Sequence, residues 1–297
     1  MTRPSVFPTG YEGLRARHVT LADGSRLRLV ESGVPHAPPL LLVHGFGASS
    51  YQWRFQLPAL ATVGFHVLAP DLPGHGFSQL RFPAGEYTRA AYARRIWQLV
   101  DALGVARLPV VGQSMGGGIV AEMAWQQPER PDGLVLMSAV GFGEVPGRAR
   151  TLLPVPDVLA PLGRAFATHA VVRLILRGVY GPESSWTRRD EDELLAPYAQ
   201  SEIFRALLRT LKEFDFSLHT PDRLAALPEG TLVMFGGADR VVRPVALTER
   251  VRTMRNGRLV VLPRVGHLPQ VEAADEVARL LVEYVRARRV APVDAPR

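Results

Sequence analysis

The strongest constraint on the fold is the alternation of short apolar segments with amphipathic helical patterns along the 297-residue chain. Strand-like apolar segments stand at residues 39–43, 65–69, 108–111, 133–138, 231–236 and 258–262. Patterns with helical spacing stand at residues 51–62, 88–103, about 115–127, 245–254 and 271–288. Continuous apolar segments are typical of strands that are buried on both faces. The order therefore predicts an α/β fold with a mostly parallel, doubly wound sheet and helices on both of its faces.

One region interrupts this alternation. Residues 141–227 begin with a proline-rich stretch and continue with amphipathic helical pieces that carry no strand signal. The alternation resumes with the strand-like segment at 231–236. We therefore expect a core domain formed by residues 1–140 and 228–297, with residues 141–227 as a helical insertion after one strand.

Composition excludes several classes of protein. The chain has no cysteine, so it holds neither a disulfide framework, nor a thiolate metal site, nor a cysteine nucleophile. Its net charge is +7, but the arginines that supply this charge are scattered and do not alternate with aromatic residues as in a nucleic-acid groove. We expect no nucleic-acid partner.

Residues 1–10 lack the apolar stretch of a secretory signal, and no run of about 20 apolar residues could span a bilayer. The sequence thus favours a cytoplasmic protein without stable membrane association.

The pattern G-x-S-x-G places a candidate nucleophile at Ser114, between Gly112 and Gly116. It follows an apolar strand and opens a helix, which is the context that a nucleophile elbow requires. The glycines fit because other segments of the chain pass close to such a sharp turn. The helix N-terminus would also direct amide groups toward a developing oxyanion.

A serine hydroxyl needs a base, and the base needs an acid that orients it. His267 is the candidate base, because it lies between the last strand and the last helix. Asp239 follows the preceding strand and is the candidate acid. The order Ser114, Asp239, His267 is the order described for α/β-hydrolases. Glu144 is the alternative acid, since it follows the strand at 133–138.

In these motifs the chain resembles the α/β-hydrolase superfamily, and the resemblance covers nearly its whole length outside the insertion. The matching segments are His44-Gly45-Phe46-Gly47, Asp71-Leu-Pro-Gly-His-Gly-Phe-Ser78, the Ser114 elbow, Gly236-Gly-Ala-Asp239 and Gly266-His267. The resemblance implies that the amides of Phe46 and Met115 form the oxyanion hole and that His44 organises the first glycine-rich turn. It also implies that residues 141–227 form a helical cap over the pocket.

The resemblance and the motifs together predict a serine hydrolase that needs no cofactor and no metal. The expected substrate is a carboxylic ester or related acyl compound that is small and largely apolar, cleaved through an acyl-enzyme. Haloalkane dehalogenases and epoxide hydrolases of this fold use an aspartate nucleophile, so the serine disfavours both.

Three alternatives stay open. The segment Met115-Gly116-Gly117 is similar to that of carbon–carbon bond hydrolases acting on ring-cleavage products. Those enzymes commonly have tryptophan after the catalytic histidine, whereas this chain has Leu268 after His267. A cofactor-free perhydrolase and a small-molecule receptor on a hydrolase fold are the other two.

Overall fold

The computed structural model describes residues 6–145, 163, 165 and 167–290, and it contains an eight-stranded sheet with the order β1-β2-β4-β3-β5-β6-β7-β8. The strands are β1 (Leu14–Thr20), β2 (Arg26–Ser32), β3 (Pro39–Val43), β4 (His66–Pro70), β5 (Leu108–Gln113), β6 (Pro131–Met137), β7 (Leu232–Gly236) and β8 (Arg258–Leu262). β2 pairs antiparallel with β1 and with β4, and every other pairing in the sheet is parallel. The predicted mostly parallel sheet is confirmed.

The α-helices of the described residues fall into two groups. Those that lie outside the segment between β6 and β7 are α1 (Gln56–Thr62), α2 (Arg89–Ala102), α3 (Met115–Gln126), α8 (Leu247–Arg252), α9 (Pro269–Glu272) and α10 (Ala274–Val290). Those between β6 and β7 are α4 (His169–Val179), α5 (Arg188–Leu195), α6 (Ile203–Glu213) and α7 (Pro221–Ala225).

The central strands of the sheet are buried on both faces, and β3 illustrates why. Successive side chains of a strand point to opposite faces. Leu40 and Leu42 belong to an apolar cluster with residues of α1 and α10. Leu41 and Val43 belong to a second cluster, with residues of α2 and α3. All four side chains are fully buried, which explains the uninterrupted apolar sequence of this strand.

The prediction of a single helix over residues 51–62 is wrong. The structure has a 3₁₀ helix at Ser50–Trp53 and then α1, which begins at Gln56. Pro58 is the third residue of α1, where its missing N–H costs nothing. In one continuous helix the proline ring would instead clash with the carbonyl of Arg54. The helix therefore restarts shortly before the proline.

The last predicted helix, at 271–288, is also divided. Pro269 occupies the first position of α9, for which its fixed φ is suited. Ala273 then leaves the helical region with φ −128° and ψ 52°, and α10 begins at the next residue. α9 brings Glu272 close to the loop that carries His267, as described below.

The structure places the helical group α4–α7 between β6 and β7, together with a 3₁₀ helix at Ala196–Ala199. This is the segment predicted as an insertion. Residues 146–162, 164 and 166 of it lie outside the described residues. The division into a core domain and an inserted domain stays a prediction.

Candidate active site

Ser114 stands at the sharp turn between β5 and α3. Its backbone has φ 54° and ψ −119°, a conformation that few residues other than glycine adopt. The turn is held in place because the Ser114 amide donates to the carbonyl of Met137 at the end of β6, 2.9 Å away. Although Ser114 occupies the N-cap position of α3, its side chain makes no capping hydrogen bond. The hydroxyl is therefore available for another partner.

The glycines around Ser114 allow three segments of backbone to meet. A Cβ atom on Gly116 would lie 2.3 Å from the carbonyl oxygen of Val43 and 2.5 Å from that of His44. A Cβ atom on Gly112 would lie 2.3 Å from the carbonyl oxygen of Gly116. Distances this short exclude any side chain without a backbone shift. The G-x-S-x-G pattern thus brings the elbow against the turn that follows β3.

The hydroxyl of Ser114 meets the ring of His267. Ser114 Oγ and His267 Nε2 are 2.9 Å apart, and both residues are buried. The loop of His267 is fixed on the other side by Gln113, whose Nε2 donates to the His267 carbonyl at 2.7 Å. Residues 153 positions apart in the chain are thereby joined at the carboxyl ends of β5 and β8.

Asp239 completes this hydrogen-bonded row. Its Oδ2 lies 2.8 Å from His267 Nδ1, while its Oδ1 accepts from the amides of Val241 and Val242 at 2.9 and 3.0 Å. The backbone contacts fix the carboxylate, and the carboxylate fixes the ring. With the proton on Nδ1 directed at Asp239, Nε2 is free to accept the proton of Ser114. The structure thus brings the three predicted catalytic side chains together.

The alternative acid lies elsewhere. The Glu144 backbone bridges that of Arg243, and the glutamate is exposed. No hydrogen bond joins it to His267 among the described residues. The position next to the imidazole is taken by Asp239.

The two predicted oxyanion-hole residues lie on the segments that meet at Gly116. Met115 is the first residue of α3, and Phe46 lies in the turn after β3. Within the described part of the chain, neither backbone amide donates a hydrogen bond. Both amides are consequently available to a negatively charged oxygen near Ser114.

His44 holds this turn rather than contacting Ser114. Its Nε2 accepts from the Leu72 amide at 2.9 Å, and its Nδ1 donates to the Gly45 carbonyl at 2.8 Å. Complete burial lowers the pKa of the imidazole, so the ring is neutral and can accept at Nε2. These contacts agree with the organising role that the resemblance implies for His44.

Sequence reasoning assigned no role to Asp71, although it noted the motif that begins there. Asp71 is fully buried; it accepts from the amides of Ser50 and Phe77 at 2.7 and 2.9 Å and lies 3.2 Å from Arg28. Burial alone would raise the pKa of this carboxyl, but Arg28 and the amide donors lower it overall. Asp71 therefore ties β2 and two loops near the site together as a buried anion.

The helical group reaches the same region from the other side. Tyr198 donates to the carbonyl of Gly47 at 3.2 Å, and Gln200 Nε2 donates to that of Gly76 at 2.7 Å. Burial raises the pKa of Tyr198 to about 12, so its hydroxyl is protonated and able to donate. The helical group thus contacts two glycine-rich loops: the turn after β3, which adjoins the elbow, and the loop after β4.

The described residues offer neither a metal site nor a helix that could span a membrane. Among residues 6–145, 163, 165 and 167–290, no three histidine, aspartate or glutamate side chains are grouped closely enough to hold a metal ion. In the same part of the chain, every helix is too short or too polar to cross a bilayer.

Comparison with known proteins identifies the family. The sequence model of the alpha/beta hydrolase family matches residues 40–280. This segment contains Ser114, Asp239, His267 and both predicted oxyanion-hole residues. The chain belongs to the alpha/beta hydrolase family, as the sequence motifs predicted.

Named relatives cover several chemistries. The chain is 29% identical to a dihydrolipoyllysine-residue acetyltransferase component of the acetoin cleaving system of Pseudomonas putida, over 89% of this chain and 67% of that protein. It is also 29% identical to a 2-hydroxymuconate semialdehyde hydrolase of Pseudomonas putida, over 89% of this chain and 92% of that protein. A solved structure of a thermophilic esterase from Thermogutta terrifontis superimposes with a TM-score of 0.74 and 25% identity, over 92% of this chain and 99% of that one.

Proposed function

We propose that this member of the alpha/beta hydrolase family is a serine esterase that cleaves small, largely apolar carboxylic esters through an acyl-enzyme. The observation that carries the proposal is the unbroken row Ser114 Oγ, His267 Nε2, His267 Nδ1 and Asp239 Oδ2, with links of 2.9 and 2.8 Å. In such a row, the base can take the proton of the serine while the carboxylate stabilises the imidazolium.

The reaction follows from this geometry. His267 takes the Ser114 proton as Oγ attacks the ester carbonyl, and the carbonyl oxygen becomes an oxyanion facing the amides of Phe46 and Met115. His267 then gives the proton to the departing alcohol, which leaves the acyl group on Ser114. Water, deprotonated by the same imidazole, attacks the acyl-enzyme, and the acid is released as His267 returns the proton to Ser114 Oγ. Removing one oxyanion donor from such a site typically costs about 3 kcal/mol of transition-state stabilisation.

We further propose that residues 141–227 act as a cap that limits substrate size. Support comes from Tyr198 and Gln200, which reach the loops at Gly47 and Gly76. Apolar side chains of the helical group are also buried near the base, because Val172 and Leu176 pack in one cluster with Leu268, the residue after His267. An apolar acyl group fits a site roofed in this way better than a charged one.

The test is hydrolysis of p-nitrophenyl esters of graded chain length by wild type, Ser114→Ala and a matched control, Ser138→Ala. Ser138 follows β6 as Ser114 follows β5; it is fully buried, and its Oγ has no partner among the described residues. We expect multiple turnovers for wild type and Ser138→Ala, and a loss of about 1000-fold or more in kcat for Ser114→Ala. Ester turnover that survives in Ser114→Ala would overturn the proposal, and a single burst without turnover would favour the receptor alternative.

A second candidate function is carbon–carbon bond hydrolysis of a ring-cleavage product. The similarity to the 2-hydroxymuconate semialdehyde hydrolase, which spans 92% of that protein, favours it. The same wild-type preparation should be offered a coloured dienol substrate of that class. Loss of the colour at a kcat/KM above that of every ester would replace the esterase proposal with this one.

A further inference from the structure

Glu272 lies at the end of α9 and joins the loop of His267 to the helical group. Its Oε2 accepts from the Gly266 amide at 2.9 Å, and its Oε1 accepts from the Leu268 amide at 3.0 Å. The same Oε2 accepts from the Gly181 amide and the Ser184 hydroxyl, both at 2.7 Å. One half-buried carboxylate thus binds the residues on both sides of His267 and two residues that follow α4.

The backbone around His267 is also pressed directly against the helical group. The His267 amide donates to the carbonyl of Val179, the last residue of α4, at 2.8 Å. A Cβ atom on Gly266 would lie 2.3 Å from the Gly181 nitrogen, and one on Gly181 would lie 2.3 Å from the Arg264 carbonyl oxygen. The two segments therefore meet backbone to backbone, with no side chain between them at this point.

Three consecutive amides, those of residues 266, 267 and 268, are thereby given acceptors. Two of the acceptors are oxygens of Glu272, and the third is the Val179 carbonyl. A carboxylate makes stronger hydrogen bonds to amides than a neutral acceptor does. The placement of the His267 ring, which has to meet both Ser114 and Asp239, consequently depends on where Glu272 and the end of α4 lie.

We infer that Glu272 is a positioning residue for His267, and that it couples the seating of the helical group to the geometry of the base. This inference rests on the proposed function, because it concerns the base of that reaction. Glu272 does not touch the reacting atoms. It acts through the loop. Without Glu272, the amides of Gly266 and Leu268 lose their acceptors, and the His267 ring can move out of hydrogen-bonding position to Ser114.

The test compares Glu272→Ala and Glu272→Gln with Glu276→Ala and Ser114→Ala. Glu276 lies one turn further along and is exposed, so its removal is a matched control. The probe is a small alkyl fluorophosphonate. Ser114 Oγ forms a bond to phosphorus, fluoride leaves, and His267 takes the serine proton. A second readout is the far-downfield proton resonance of the Nδ1–H between His267 and Asp239, which is assigned by its absence from His267→Ala.

We expect Glu272→Ala to slow phosphonylation by about 10- to 100-fold and to shift or broaden the downfield resonance. Glu276→Ala should match wild type in both. Glu272→Gln should be intermediate, because a carboxamide keeps one acceptor oxygen and presents an NH2 group to the remaining donors. If Glu272→Ala does not fold, Glu272→Gln carries the test, with an expected slowing of about three- to tenfold.

A folded Glu272→Ala that reacts within twofold of Glu276→Ala, with an unmoved downfield resonance, would overturn the inference. So would a Glu272→Gln that equals wild type in both measurements. Failure of the proposed function appears in other measurements: wild type would not turn over p-nitrophenyl esters, or Ser114→Ala would react with the fluorophosphonate as fast as wild type. The two failures are therefore distinguished within one set of variants.

Discussion

The elbow and the helical group are held in the molecule by different forces. At the elbow, backbone meets backbone: Gly112 and Gly116 leave no space for a Cβ atom. Helix α5 of the helical group is attached instead through buried polar contacts. Asp190 of α5 forms an ion pair with Arg54 at 2.8 Å and accepts from the Tyr51 hydroxyl at 2.9 Å, with side chains less than a tenth exposed in the ion pair.

The elbow and the ion pair of α5 should therefore be sensitive to different substitutions. Close packing around the glycines fixes the position of Ser114, and a side chain added at one of them would disrupt this packing. A buried ion pair fails when one partner is removed, because the other charge is left without compensation. Damage to the elbow should therefore appear mainly in reactivity, and damage to the ion pair mainly in stability.

The largest effect is expected for Asp190→Ala. It leaves the Arg54 guanidinium buried without its partner and should lower the free energy of unfolding by about 3 to 5 kcal/mol. Asp192→Ala is the control, since Asp192 pairs with His169 where both side chains are at least a third exposed, and it should cost about 1 kcal/mol or less. Urea unfolding measures both. Equal losses for the two variants would mean that the ion pair does not hold the helical group.

Gly116→Ala probes the elbow. A Cβ atom 2.3 Å from the Val43 carbonyl must displace the turn, and a shift of about 1 Å can reduce reactivity about 100-fold, or about 2.7 kcal/mol. Gly118→Ala is the matched control. Gly118 lies in the same helix as Gly116, but a Cβ atom there would lie no closer than 3.5 Å to any neighbouring atom. That variant should keep its reactivity and gain up to about 1 kcal/mol of stability. The rate of fluorophosphonate labelling measures the reactivity of Ser114 in each variant. Similar rates for Gly116→Ala and Gly118→Ala would show that close packing at Gly116 does not position Ser114.

The pH dependence of stability tests a polar contact between the helical group and α2. His219 follows α6 and donates its amide to the Gly141 carbonyl after β6, and its Nδ1 lies 3.0 Å from Arg89. Burial, with Arg89 next to it, lowers the pKa of His219 to about 3 from an ordinary value of 6.5. The unfolded chain then binds a proton that the folded chain does not. Stability is therefore full above pH 6.5 and is lost as the pH falls toward 3.

By pH 5 this one group should cost about 2 kcal/mol relative to pH 7. His219→Gln has no imidazole to be protonated in the unfolded chain. Between pH 7 and pH 5 its free energy of unfolding should therefore fall by about 2 kcal/mol less than that of wild type. His36→Gln, at an exposed position, should behave as wild type. Denaturant titrations at pH 7 and pH 5 measure the difference, and identical pH slopes for His219→Gln and wild type would remove His219 from this account.

The smallest effect concerns helix caps, which again differ between the regions. Ser114 leaves α3 without a side-chain cap, whereas Thr168 caps α4 by accepting from the Val171 amide. Thr168→Ala should cost about 1 kcal/mol, and Thr168→Ser should restore most of it. Thermal unfolding resolves a change of this size. A cost for the serine variant as large as that for alanine would show that the cap hydrogen bond is not the cause.

The two regions also differ in how far the sequence predicted them. Ser114, Asp239 and His267 were found because each follows a strand in a short glycine-containing motif, and parallel strands bring such motifs to one edge. The partners of Asp190 and Glu272 could not be found in this way. The contacts of Asp190 with Tyr51 and of Glu272 with Gly181 join segments more than 80 residues apart. In the sequence, Glu272 looks like any acidic residue in the first turn of a helix.

In the proposed reaction, an acyl group is bound covalently to Ser114 during every turnover. The direct measurement is mass spectrometry of peptides from wild type quenched with acid during turnover of a p-nitrophenyl ester. We predict the acyl mass on the peptide that contains Ser114, in wild type and in Ser138→Ala, and its absence from Ser114→Ala. An acyl group on another residue, or ester turnover with no covalent adduct at Ser114, would contradict the account.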